Sequence, residues 1–118
     1  MGGQMPWVTG TTRIFGTIAN PADHVRAPMV FNPLFAERGL DHVMVPITAA
    51  PENLAAVIDG LRGIRNFAGM AVTIPHKMEL AAMCDTLGPT AQLTGAVNAV
   101  RFDPDGTLHG ENFDGAGF

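Results

Sequence analysis

The chain has 118 residues, seven Lys and Arg against 11 Asp and Glu, a formal net charge of −4 and 47% apolar residues. At about 150 residues per domain this length holds one compact domain with a real core, which excludes global disorder and the two-lobed layout of most dehydrogenases, kinases and small-metabolite transferases. The few scattered cations and the pI near 5.4 argue against a nucleic-acid footprint and against an anionic membrane surface.

Residues 1–12 read as an irregular, Gly- and Pro-bearing arm, and 13–118 as the domain proper. Arg13-Ile14-Phe15-Gly16 opens a short apolar strand, and Asn20-Pro21-Ala22-Asp23 is a turn. From Pro28, the spacing of Phe31, Leu34, Phe35 and Arg38 predicts a helical face ended by Gly39. Pro28 suits the first helical position, whereas Pro33 predicts a kink or a late start. Val43, Val45 and Ile47 alternate as in a strand. Pro51-Glu52 starts a helix whose Leu54, Val57, Ile58 and Leu61 share one face before Gly63.

Met70-Ala71-Val72-Thr73-Ile74 is a mostly apolar run before Pro75 and reads as a central strand buried on both faces. Residues 78–83 and 89–94 are short helices, and Ala96 to Phe102 is a strand. Asp103-Pro104-Asp105-Gly106 turns the chain into a return strand from Thr107 to Asn112. The alternation predicts a three-layer α/β sandwich: a mostly parallel mixed sheet, helices on both faces and a C-terminal β-hairpin.

Further exclusions are short. One cysteine, Cys84, forbids an internal disulfide and suits a reducing, cytoplasmic compartment; its setting in Met83-Cys84-Asp85 is one of packing. No apolar run approaches the ~18 residues of a membrane span, and no signal peptide is visible. His24, His42, His76 and His109 have no metal-ligand spacing with one another or with Cys84. Asp103 to Gly106 superficially resembles a calcium loop but lacks its closing Glu. Gly115-Ala116-Gly117 is no dinucleotide fingerprint.

Three stretches hold polar groups where chemistry is expected. Thr73-Ile74-Pro75-His76-Lys77 leaves the end of the most buried strand, and ligands of open parallel sheets sit at such ends. Lys77 is there either a solvated residue that starts a helix or a positioned ammonium. Asn98, within Gly95-Ala96-Val97-Asn98-Ala99-Val100, is an amide inside an apolar strand. Without partners it costs about 1–3 kcal/mol, so it is met either by a loop backbone or by a ligand hydroxyl. Asp114, in Gly110-Glu111-Asn112-Phe113-Asp114-Gly115, is either a helix N-cap or a ligand contact.

These stretches together resemble the substrate-binding, N-terminal domain of shikimate dehydrogenases. The matching residues are Ala71-Val72-Thr73-Ile74-Pro75-His76-Lys77, Cys84-Asp85, Gly95-Ala96-Val97-Asn98 and Gly110 to Gly115. Gly16, His24-Val25-Arg26-Ala27-Pro28, Asn32, Phe35 and Gly39-Leu40-Asp41 extend the match upstream, to about Arg13. The resemblance implies reversible reduction of 3-dehydroshikimate or a related cyclic hydroxy acid with NADP(H), with NAD and quinate used by some relatives. It places the family's catalytic lysine on Lys77 and its partner aspartate on Asp114. Thr73 and Asn98 fall on positions that bind ring hydroxyls.

The chemistry is sound on first principles. Hydride arriving at a ketone leaves a developing alkoxide, which a cation stabilises and a proton donor quenches. An ammonium does both.

The sequence also departs from the family. Val25 and Ala27 occupy positions where the family has two serines that hold a substrate carboxylate, and neither donates a hydrogen bond. Arg26 between them is a charged alternative. Ala71 and Phe113 replace an Asn and a Thr of the family's motifs. The expected substrate is therefore shikimate-like without being assured as shikimate. The family's Rossmann domain has no counterpart here, which predicts a domain cut from a longer protein, inactive alone, as a monomer or homodimer. The other reading is a non-catalytic module that binds a small polyol acid.

Overall fold

The computed structural model describes residues 8–113. Six strands form one mixed sheet in the order β2-β1-β3-β5-β6-β4. They are β1 (Arg13–Ala19), β2 (His42–Thr48), β3 (Phe67–Val72), β4 (Thr86–Leu87), β5 (Ala99–Phe102) and β6 (Leu108–Glu111). Four helices, α1 (Ala27–Glu37), α2 (Leu54–Arg62), α3 (Lys77–Met83) and α4 (Pro89–Thr94), complete the α/β sandwich. β1 runs parallel to both β2 and β3. β5 is antiparallel to β3 and to β6.

Alternation along β1 divides the two faces. Ile18 points into a core shared with Leu54 and Ile58 of α2, Leu80 of α3 and Ala91 of α4. Ile18, Leu54, Ile58, Leu80 and Leu108 are each at most 1% exposed. Burying each such side chain stabilises the fold by about 1.5–3 kcal/mol. Phe15 points to the other face, where its ring lies 5.7 Å from that of Phe35 of α1. Gly16 is required by close approach: a Cβ there would come 2.7 Å from Ile47 Cδ1. Asn32 of α1 clips the free edge of β2, donating to Met44 O at 2.9 Å and accepting from Met44 N–H at 2.8 Å. This blunts an edge otherwise open to pairing.

Element boundaries differ from the sequence reading in instructive places. β1 opens at Arg13 as expected and runs through Ala19, up to the turn at Asn20. β3 is shifted: it starts at Phe67, whose ring packs edge-on against Phe102 at 4.9 Å, and ends at Val72. Thr73 and Ile74 belong to the turn that follows, because His76 N–H donates to Thr73 O at 3.0 Å and closes it. Ile74 is therefore 75% exposed, not buried in a strand. α1 begins at Ala27 and runs through Pro33 without a late start. No residue of α1 is buried, so the bond lost at Pro33 faces water and not a dry core.

α3 opens on Lys77 itself. β4 was not legible: two residues carry no period, and the strand exists only by pairing parallel to β6. It places a parallel strand at the edge beyond the hairpin. The turn at Asp103 to Gly106 is as expected, with Gly106 N–H donating to Asp103 O at 2.9 Å and Gly106 at φ +88°.

Candidate functional site at the strand exits

Main-chain hydrogen bonds gather the carboxyl ends of the central strands. Thr73 N–H donates to Ile18 O at 3.1 Å, tying the exit of β3 to β1. Val72 N–H donates to Asn98 O at 2.9 Å, and Asn98 N–H donates to Glu111 O at 2.9 Å. Val97 N–H donates to Lys77 O at 3.0 Å, which fixes the start of α3 against the approach to β5. The Asn98 side chain is half-buried, and its Oδ1 accepts Phe113 N–H at 3.0 Å. Thr73, Lys77, Asn98 and Phe113 thus converge on one end of the sheet. Asp114, the next residue, lies outside the described residues.

Asn98 therefore meets a loop backbone, one of the two partners its sequence setting allowed. Its carbonyl oxygen holds the exit of β6, from which residue 114 follows.

His76 takes a structural post beside Lys77. It is fully buried, and its Nε2 lies 2.8 Å from Ala49 O. A carbonyl only accepts, so Nε2 carries the proton and donates. Nδ1 is buried without a partner among the described residues. The bond pins the turn before α3 to the chain leaving β2, since Ala49 N–H itself donates to Ala19 O at 3.1 Å.

A cleft of about 340 Å³ opens beside Thr73. Ala19, Asn20 and Pro21 from the exit of β1, His24 and Val25 from the next turn, and Thr73 and Ile74 line it. An adjoining cleft of about 400 Å³ shares His24 and Val25 and adds Asp23, Arg26 and Met29. The structure therefore brings Val25 to Thr73 and keeps Arg26, exposed, on the outer side. Ala27 opens α1, half-buried, and lines neither cleft; nor do Lys77 and Asn98. Asn20 and His24 were missed as lining residues. The signal available was their position just after a strand in a turn, which by itself reads as ordinary loop chemistry.

A larger groove, about 490 Å³, lies elsewhere, on the α1 face of the sheet. Its floor includes Gly69, Ala71 and Ala99, with Phe15 and Phe31 on one side. It is wider but largely apolar, and it lacks Thr73, Asn98 and Lys77. The polar convergence that chemistry needs is at the strand exits.

Cys84 is held away from reactivity. Burial, and then the neighbouring Asp85 carboxylate, push its thiol up to about 11, against a smaller opposing pull from Arg62. Its Sγ lies 3.4 Å from Leu80 O, as a packed thiol does. Among the described residues no group of three His, Cys, Asp or Glu is placed to hold a metal. Among the described turns that lead from strand to helix, 20–26, 49–53 and 73–76 contain no glycine and the turn into α4 has Gly88 alone, so none is a Gly-rich dinucleotide cradle. No described helix is long and apolar enough to cross a membrane.

The sequence matches the family of shikimate dehydrogenase substrate binding domains over residues 17–100. An NADP(+) shikimate dehydrogenase of Rubrobacter xylanophilus is 42% identical over 97% of this chain and 40% of its own length. A crystal structure of a shikimate dehydrogenase in complex with NADP+ superposes with a TM-score of 0.88 at 37% identity, covering 94% of this chain and 38% of that one. The ligand-free 5-ketofructose reductase of Gluconobacter sp. strain CHM43 gives a TM-score of 0.86 at 25% identity, over 93% of this chain and 39% of that one. The chain thus spans about two fifths of the length of the curated relatives it matches.

Proposed function

This chain belongs to the shikimate dehydrogenase family through its substrate-binding domain, and we propose that it is the substrate half of an NADP(H)-dependent oxidoreductase that interconverts a ring ketone and its alcohol. The substrates the family name suggests are 3-dehydroshikimate and related cyclic hydroxy compounds. What supports the reading most is the convergence of Thr73, Lys77, Asn98 and the residue before Asp114 at one end of the sheet, through the bonds Thr73 N–Ile18 O, Val97 N–Lys77 O and Phe113 N–Asn98 Oδ1.

NADP(H), when held by the protein, supplies or accepts the hydride. The described residues of this chain bind, orient and protonate the substrate. The Lys77 ammonium stabilises the oxygen of the ketone as negative charge develops and gives it a proton. Asp114 orients that ammonium by a charge-assisted hydrogen bond. Thr73 and Asn98 hold ring hydroxyls, and Val25, Arg26 and Ala27 border the rest of the substrate. Oxidation reverses the sequence, with Lys77 taking the hydroxyl proton as an amine.

The test is an NADP+-linked oxidation assay of the full-length protein with shikimate, quinate and neutral ring polyols. Turnover of at least one of them, lost in Lys77→Ala, is the expected result. Binding without turnover of any would favour the module that binds and does not react. Proteins of this fold are named for shikimate and for 5-ketofructose, so the fold alone does not set the substrate.

A further inference from the structure

The lining of the cleft at the exits of β1 and β3 carries information about charge. Its seven described residues, Ala19, Asn20, Pro21, His24, Val25, Thr73 and Ile74, include no Lys, Arg, Asp or Glu. Their hydrogen-bonding groups are an amide, an imidazole and a hydroxyl. These satisfy neutral hydroxyls and carbonyls well. A carboxylate brought among apolar neighbours needs a cation or several N–H donors, since an unpaired buried charge is far costlier than an unpaired hydroxyl.

A helix N-terminus is the usual source of such donors, and α1 begins beside this cleft. Part of what it and the turn before it offer is spent or missing. Val25 N–H donates to Ala22 O at 3.3 Å. Pro28 has no N–H, and Met29 N–H donates to Arg26 O at 3.0 Å. Val25 and Ala27 add no donor of their own. The outer cleft does hold a cation, Arg26, but Asp23 lines the same space, and both are exposed. Two exposed charges of opposite sign leave a weak, screened field.

We propose that this cleft selects a neutral, polyhydroxylated ketone and its alcohol, and discriminates against the corresponding carboxylate. The proposal rests on the reading of the strand exits as the substrate site and departs from the acid that the family name suggests. The electron and proton accounting is unchanged: one hydride and one proton add across the C=O bond to give the alcohol.

Isothermal titration calorimetry of the full-length protein tests it with shikimate, methyl shikimate and a cyclohexanetriol that lacks the carboxyl group. Methyl shikimate or the triol is expected to bind at least tenfold tighter than shikimate. The variant Val25→Ser, which adds a hydroxyl donor to the cleft lining, is expected to raise the affinity for shikimate at least tenfold relative to that for methyl shikimate and the triol. Shikimate binding tighter than both neutral ligands, with the preference abolished by Arg26→Ala, would overturn the proposal and leave the oxidoreductase reading standing. Failure of all three ring compounds to bind would overturn both.

Discussion

The strand-exit end and the β4–β6 edge use polar residues in opposite ways. At the β4–β6 edge, side chains close on one another. Arg62 donates to Asp85 at 3.1 Å, to Gly106 O at 2.8 Å and to Met83 O at 2.9 Å. Asp85 accepts Leu108 N–H at 2.8 Å, and His109 links Thr86 to Glu111 at 2.7 Å on each side. At the strand exits, main-chain bonds do most of the fastening, with His76 and Asn98 the side chains that join in, and Asn20, His24 and Thr73 line open space. The lesson is that a hydrogen-bonding group spent on its own fold has less left with which to recognise a ligand. The end fastened by main chain is the end with side chains left for binding.

This contrast breaks if mutations at the two ends have the same consequence. The largest expected effect is at the strand exits. Lys77→Ala should lower the turnover of the full-length protein by about 10²–10⁴-fold, with ligand affinity nearly unchanged, as steady-state kinetics and calorimetry would record. Near-normal turnover would remove Lys77 from the chemistry.

Next is the thiol between the two ends. With its pKa pushed from 9.0 to about 11, Cys84 should react with a thiol reagent roughly a hundredfold more slowly in the folded than in the unfolded protein near pH 8. Equal rates would mean that the thiol is open to water.

The edge should answer in stability alone. A Cβ on Gly110 would lie 2.6 Å from Val97 Cγ1 and 2.8 Å from Cys84 Sγ. Gly110→Ala should therefore destabilise the protein by about 1–3 kcal/mol in denaturant titration, with turnover per folded molecule preserved.

The smallest effect concerns Asp85, whose carboxyl is held below its ordinary 3.8 first by Leu108 N–H and then by Arg62. A depressed carboxyl stabilises fully above the ordinary value, and that stabilisation is lost as pH falls through the depressed one. Asp85→Asn should thus lower Tm near pH 7, and the gap to wild type should narrow as pH falls below about 3.8. A gap independent of pH would show that neither Leu108 N–H nor Arg62 favours the ionised carboxyl over the neutral one.

How much of this was legible in the sequence varies with the range of the interaction. The helices announced themselves by period: Leu54 and Ile58 share a face because α-helices repeat every ~3.6 residues, and both are buried. Asn98 was legible as a buried amide in need of partners, yet not that Phe113 N–H supplies one. His76 was legible as an imidazole at a strand exit, yet its burial against Ala49 O depends on the chain leaving β2, 27 residues away. Ile74 misled for a related reason. An apolar residue after a buried strand looks like more strand, and only the turn closed by His76 N–H exposes it.

What the sequence determined by itself was the alternation of elements, the family through motifs in order, and the residue types fit for proton transfer. All of these are properties of neighbours along the chain. Only the tertiary structure decided that Val25 and Thr73, 48 positions apart, border one cleft whose described lining has no Lys or Arg, and that Met29 N–H in the first turn of α1 is spent on Arg26 O. Periodicity and propensity are local, whereas a cleft is defined by which distant turns the sheet order brings side by side.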